Sequence, residues 1–399
     1  MVVMPRSLRA HPRRSAFLVL APCVLVLAGL VLAGCGGSGS RPRSGTRAGG
    51  TTQLVYRLDG RLAGPGSRAA QMQLLTAMGE RLADAGLIVK HMRLASARLQ
   101  IDLQGAFTGR SDRARFAYLG SRGRLFVYDW EANVLGPRGR PQPNQDSVTG
   151  GPDAGDADLG LSEYDAVLRA SRRRAIRRPN DTNGRLFYLV DDGARKVVRG
   201  PAPSRASLLA GGARSAGTRI VKVRPGTTVV AALRPQDPSR QRESGYYVLN
   251  DNPVISSAEI LDPQAGVDSA PDGTGQPDVT FDFSGPGGRV WLGLTRALVR
   301  RGEQAARTGV PAPQAYQHVA LVLDDRLLAV PAVDFSTAPN GLDPADGGQI
   351  IGGFSTDTAD ELASILRYRP LPVGLSLASV RRPAVAAQAG KRRSRSKRG

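Results

Sequence analysis

The spacing of apolar and polar residues changes period along the chain, and each change marks an element. Val279, Phe281 and Phe283 alternate with Thr280 and Asp282, the two-residue period of a half-buried strand. Trp291, Leu294 and Leu298 then recur at helical spacing. Between them, Gly285-Pro286-Gly287-Gly288 predicts a tight strand-to-helix turn. Val319 to Leu323 and Leu327 to Val330 flank Asp324-Asp325-Arg326, which reads as a hairpin around a polar turn. Ile350 and Ile351 end a strand at Gly352-Gly353. Ser355 then caps a helix with the apolar face Ala359, Leu362, Ala363 and Leu366, and Pro370 and Pro372 stop it. Residues 245–377 therefore read as an α+β unit.

The upstream half alternates in the same way. Thr52 to Leu62 predicts a strand. A helix follows Pro65-Gly66-Ser67 with Ser67 as cap; Ala70, Leu74, Met78 and Leu82 form its apolar stripe, and Gly86 ends it. Ile88 to Leu94 and Leu99 to Leu103 predict two strands, and Arg124 to Glu131 a later strand of the same unit. Residues 136–160 are rich in Pro, Gly, Asp and Asn and read as a loop. Leu161 to Arg178 predicts a helix with a solvated arginine face. Arg185 to Val190 and Arg195 to Val198 form a hairpin around Asp191-Asp192-Gly193, and Arg219 to Val223 and Thr228 to Leu233 are further strands.

This order of pieces resembles SecD, the export-assisting subunit of the bacterial Sec system, in its large extracytoplasmic domain. The resemblance rests on Tyr246-Tyr247, on a strand and helix ending at Leu294-Thr295, and on a hairpin leading to Pro331. Gly353-Phe354-Ser355 before an Ala/Leu helix, with Leu371-Pro372 after it, is its most specific part. Upstream, Arg81 to Leu87 and Leu99 to Gly105 look like segments of the SecD base. The resemblance implies an α+β fold, with a ferredoxin-like base at 52–140 and an α+β head at 181–370 inserted into it. A linker and basic helix at 141–180 would join them, and the strand at 371–380 would return to the base. The family's D-L-x-G-G motif is absent, its V-T-G is replaced by Ile255-Ser256-Ser257, and its hairpin Asp-Gly is Asp324-Asp325. SecD proteins carry membrane helices after this domain, whereas no long apolar run follows Leu32 here. The expectation is a head-and-base module without a proton-coupled motor.

The first 51 residues add a membrane expectation. Arg6, Arg9, Arg13 and Arg14 precede an apolar run from Ala16 to Leu32. Leu32-Ala33-Gly34-Cys35 resembles a lipobox, which implies a signal peptide at 1–34, lipidation at Cys35 and a flexible linker at 35–51. An uncleaved anchor is the alternative, and either outcome holds the chain at the plasma membrane facing the extracytoplasmic side. The net charge is +21, of which residues 1–51 and 381–399 contribute fifteen with no acid. The middle is thus mildly basic, and 381–399 is expected to be a disordered basic tail able to meet anionic lipid or wall polymer. The charge pattern and the 5% aromatic content argue against a nucleic-acid partner.

The chemistry-bearing residues form no enzyme signature. The only cysteines, Cys23 and Cys35, precede the folded part, and His91 and His318 have no second histidine at ligand spacing. Gly285 to Gly288 lacks the lysine of a phosphate loop. Asp324-Asp325 reads as turn residues, and Asp343, Asp346, Asp357 and Asp360 do not match a calcium loop. The expectation is a protein with no catalytic, cofactor or metal site, binding Sec translocon components or exported preproteins. The alternative is an envelope adaptor that reuses the fold.

Overall fold

The computed structural model describes residues 50–59, 62, 67–95, 97–107, 109–135, 160–175, 184–210, 212, 214–233, 243–269, 275–351 and 355–381. The expected signal peptide at 1–34, Cys35, most of the expected linker at 35–51, Gly353, Phe354 and residues 382–399 lie outside them.

The chain opens with β1 (Thr51–Leu58), α1 (Ser67–Asp84), β2 (Val89–Ala95), β3 (Arg98–Gln104) and α2 (Arg110–Leu119). Leu54, Tyr56 and Leu58 alternate to one face of β1, and Leu74, Met78 and Leu82 form the stripe of α1 that meets them. Ser67 is the first helical residue of α1, not its cap. Gly86 ends this region at φ +71, and Leu87 N–H donates to Leu82 O, closing the helix as the left-handed glycine requires. The second helix was not legible from its sparse apolar pattern; Phe116 and Leu119 anchor it to the same core.

The excursion begins with β4 (Leu125–Asp129) and α3 (Trp130–Asn133). Contrary to the expectation for Arg124 to Glu131, β4 does not join the first sheet. Leu125, Val127 and Tyr128 bury both faces of β4, so it needs cover on two sides. It finds that cover beside β13 in a larger sheet. Then come α4 (Glu163–Ser171), β5 (Leu186–Asp191), β6 (Lys196–Ala202), α5 (Arg205–Leu209), β7 (Thr218–Val223), β8 (Thr227–Leu233) and β9 (Glu243–Asn250). The helix expected to run to Arg178 stops at Ser171, with Arg172 as its C-cap. Strands β6, β5 and β7 make a three-stranded sheet under α4.

The rest of the excursion is β10 (Ile255–Ser256), β11 (Ile260–Val267), β12 (Pro277–Phe283), α6 (Gly285–Arg307), α7 (Ala312–Ala315), β13 (Gln317–Leu323), β14 (Arg326–Ala329), β15 (Ala332–Val333), β16 (Gly348–Ile351) and α8 (Thr356–Arg367). The large sheet runs β10-β4-β13-β14-β8-β9, and β11-β12-β16 form another. Trp291, Leu294 and Leu298 of α6 pack with Leu362 and Leu366 of α8, Phe281 of β12 and Leu321 of β13 in one core. The Gly-Pro-Gly-Gly run is not a turn but the first turn of α6: Ser284 caps it by accepting from Gly287 N–H at 3.1 Å. A Cβ at Gly287 would come within 2.7 Å of the Glu259 side chain, so the helix can only start there with glycine.

The last strand, β17 (Leu375–Arg381), pairs antiparallel with β1. The first sheet is thus ordered β17-β1-β3-β2, and everything from β4 to α8 is inserted between α2 and β17.

Candidate functional site

The two passages between this first unit, the base, and the inserted head run side by side. Outbound residues 119–124 and return residues 367–374 are tied where Leu371 N–H donates to Arg122 O at 2.8 Å. The Arg122 guanidinium reaches Leu371 O and Pro372 O at 3.5 and 3.4 Å. Around this neck, α8 lies between the head sheets and the base helices α1 and α2. It is buried almost all round, from Ala359 through Leu366. Ala359, Leu362, Ala363 and Leu366 face the head core. Glu361 and Ser364 serve the other side.

Arg81 of α1 is the centre of that side. Its side chain is fully buried and, among the described residues, pairs with no carboxylate; it donates to four carbonyls. Nη1 reaches Leu119 O and Ser121 O at 3.3 and 2.5 Å, and Nη2 reaches Arg122 O and Ile365 O at 3.1 and 3.3 Å. One planar group thereby holds base helix, neck and head helix together, which a lysine ammonium cannot do. Burial pushes its pKa down to about 10, so it stays charged at neutral pH. Gly123, at φ +82, must be glycine because a Cβ would meet Arg81 Nη2 at 2.6 Å and Ile365 at 2.9 Å.

Two acids complete the joint. Glu361 Oε1 lies 2.7 Å from Arg115 Nε of α2, an ion pair rather than an aligned hydrogen bond. Burial of Glu361 outweighs Arg115 and lifts the pKa to about 7. Asp324 and Asp325 are the hairpin turn, both left-handed, at φ 48 and 65. Asp324 does more than turn: its carboxylate accepts from Gly123 N–H at 2.8 Å and Arg124 N–H at 3.0 Å, so the hairpin tip caps the outbound neck.

The residues that carried the family resemblance are spread through the fold. Tyr246 exchanges backbone hydrogen bonds with Leu161, and Tyr247 stacks edge-on against Trp130. Leu294 is in the head core, and Thr295 Oγ1 bonds Trp291 O and Leu342 N–H at 3.0 Å each. Pro331 O accepts from Val319 N–H, and Ser355 caps α8 by accepting from Thr358 N–H. Among the described ones, Leu371 and Pro372 reach the joint, as does Arg81 of the base-like segment. His91 is exposed, whereas His318 is buried with Nδ1 2.6 Å from Glu131 Oε1. Among the described residues no group of three or more His, Cys, Asp or Glu is placed to hold a metal. No described helix is long and apolar enough to cross a membrane.

Residues 232–373 match the family described as SecDF, P1 head subdomain. This segment is similar to the SecD head. Over 139 residues the chain is 27% identical to protein translocase subunit SecD of Rhodobacter capsulatus, covering 35% of this chain and 20% of that relative. Over 193 residues it is 25% identical to SecD of Rickettsia felis, covering 48% of this chain and 27% of the relative. The chain therefore spans about a quarter or less of the length of these SecD relatives. A crystal structure of SecDF in its super-membrane-facing form aligns with 86% of this chain and 32% of its own, at 16% identity and a TM-score of 0.42. A second SecDF structure, described as a membrane component that enhances protein export, aligns with 82% of this chain and 99% of its own, at 16% identity and a TM-score of 0.37. The matched SecD head segment begins in β8 and ends at Val373, inside the neck.

Proposed function

We propose that this chain is a non-enzymatic accessory of protein export, held at the extracytoplasmic face of the membrane by lipid on Cys35, that presents a SecD head to exported preproteins or Sec translocon components. The observation that carries this reading is the match of residues 232–373 to the SecDF P1 head subdomain. The base is read as ferredoxin-like: strand–helix–strand–strand–helix–strand, in the all-antiparallel order β17-β1-β3-β2, supports it. The lipobox-like Leu32-Ala33-Gly34-Cys35 supports the tether. No proton-coupled motor is assigned to the chain, and it is read as lending a binding surface to a motor supplied elsewhere.

The contact surface proposed for the exported chain is β11. It is an edge strand of its sheet, and it carries the exposed Leu261 and Val267. An extended chain added at such an edge gains backbone hydrogen bonds, and apolar side chains beside it supply affinity without sequence specificity. A photoreactive residue at Val267 of the full chain, in cells making a signal-bearing preprotein, tests this. Crosslinks to that preprotein or to Sec channel subunits support the reading. Crosslinks to envelope proteins alone, with neither of these, reject it in favour of an adaptor that reuses the fold.

A further inference from the structure

The base sheet is covered on one side. Leu54, Tyr56, Leu99 and Ile101 point into the core beneath α1 and α2, so the alternate residues face solvent. The register assembles these into an arginine face. Arg57 stands opposite Arg98, Arg93 opposite Gln100, and Arg381 opposite Gln53. All four arginines are exposed, and none has a hydrogen bond or ion pair among the described residues. Two acids border these rows: Asp102, which accepts from Gln53 Nε2 at 3.1 Å, and Asp59 just past β1, which accepts from Ser376 Oγ opposite Arg57. Like charges directly opposite one another weaken strand pairing, so Arg57 and Arg98 do nothing for the fold where they stand.

The chain ends point to the occupant. Thr51 opens β1 and Arg381 closes β17, and these strands pair antiparallel, so both leave the same end of this sheet. Residues 1–49 bring seven arginines, and residues 382–399 bring seven more basic residues, with no acid in either. Only residues 36–49 separate Cys35 from the sheet, a root-mean-square reach of roughly 20 Å for a flexible chain.

We propose that the open arginine face of the base docks flat against an anionic phospholipid bilayer. This rests on the reading that Cys35 tethers the chain to that bilayer. The four guanidinium groups lie across four strands, a span of roughly 15 Å at sheet spacing. That suits headgroup phosphates spread over a plane, each able to accept a forked pair of N–H groups. Docking fixes the base and leaves the head projecting from the membrane.

Arginine-specific footprinting of the full chain tests this. The chain is placed on vesicles of phosphatidylcholine, alone or with about a third phosphatidylglycerol, and treated with phenylglyoxal. Modification of Arg57, Arg93 and Arg98 is expected to slow by about fivefold or more on the anionic vesicles, the attraction typical of one arginine near such a surface. High salt should restore it. Arg68 and Arg113, exposed on the helix side, should react at one rate throughout. Arg57→Glu with Arg98→Glu should abolish the protection of Arg93 while leaving thermal unfolding in place, since both side chains are exposed. Equal rates on the two vesicles, or equal protection of Arg113, would overturn the proposal. So would protection by soluble poly(glycerol phosphate) without protection by vesicles, which would assign the face to wall polymer. Retention of the chain on neutral vesicles reports the tether separately, so failure of the anchor and failure of the face give different results.

Discussion

Replacing Arg81 with Met tests whether the buried guanidinium holds head and base together. The native group donates to Leu119 O, Ser121 O, Arg122 O and Ile365 O. Hydrogen bonds from a charged donor contribute about 1.5–3 kcal/mol each, offset by the several kcal/mol of desolvating the charge. Met restores the aliphatic volume but strands four acceptors in a site that excludes water. The expected loss is about 3–5 kcal/mol, or roughly 5 °C in Tm for a chain of this size. The sharper readout is local. Leu371 N–H, which donates to Arg122 O across the neck, should exchange with solvent much faster in Arg81→Met. Amides in the centre of β1 should change only with global stability. Arg81→Lys should fall between, because one ammonium cannot fork to both passages. A loss below about 1 kcal/mol, with Leu371 exchange unchanged, would refute the joint as described.

Other positions make separate predictions. Glu361 keeps its proton up to about pH 7 when folded but releases it near its ordinary value of 4.5 when unfolded. The unfolded state therefore binds fewer protons in that window, and stability falls as pH rises through it, by at most about 3 kcal/mol. Urea titrations of Glu361→Gln should lack this slope, and parallel curves for the two proteins would count against it. Asp324→Gly keeps the left-handed turn without strain but loses the caps on Gly123 and Arg124 N–H, so denaturant unfolding should show about 2 kcal/mol of destabilisation. Ser355→Ala removes the N-cap of α8 and should lower stability by about 1 kcal/mol, with amide exchange quickening in the first turn of that helix.

Elements with a clean period were legible in the sequence. The Val279-Phe281-Phe283 alternation, the Trp291-Leu294-Leu298 spacing and the Asp-Asp turn each correspond to β12, α6 and the β13–β14 hairpin. What misled was burial on two faces. The sequence of β4 carries Leu125, Val127 and Tyr128 in a run compatible with either sheet, and only the pairing with β13 shows why both faces are apolar. Helix α2 was hidden because its large apolar residues divide between two cores, Phe116 and Leu119 toward the base and Tyr118 toward the head. The joint was hidden for a related reason. Glu361 sits among Ala359, Leu362, Ala363 and Leu366, where a carboxylate on an otherwise buried helix was the one available sign of a second interface. Arg81 was visible as part of a family-like segment, but its four carbonyl partners lie 38 to 284 residues away, beyond any local pattern.

The export role proposed for the SecD-like head depends on its membrane tether. The most direct test is a pulse–chase of a signal-bearing protein in cells deleted for the chain, complemented with the full chain or with Cys35→Ala. The account predicts slower conversion of precursor to mature protein on deletion, restored by the full chain and poorly restored by Cys35→Ala. Unchanged precursor processing in the deletion, alongside an envelope defect that the full chain repairs, would contradict it.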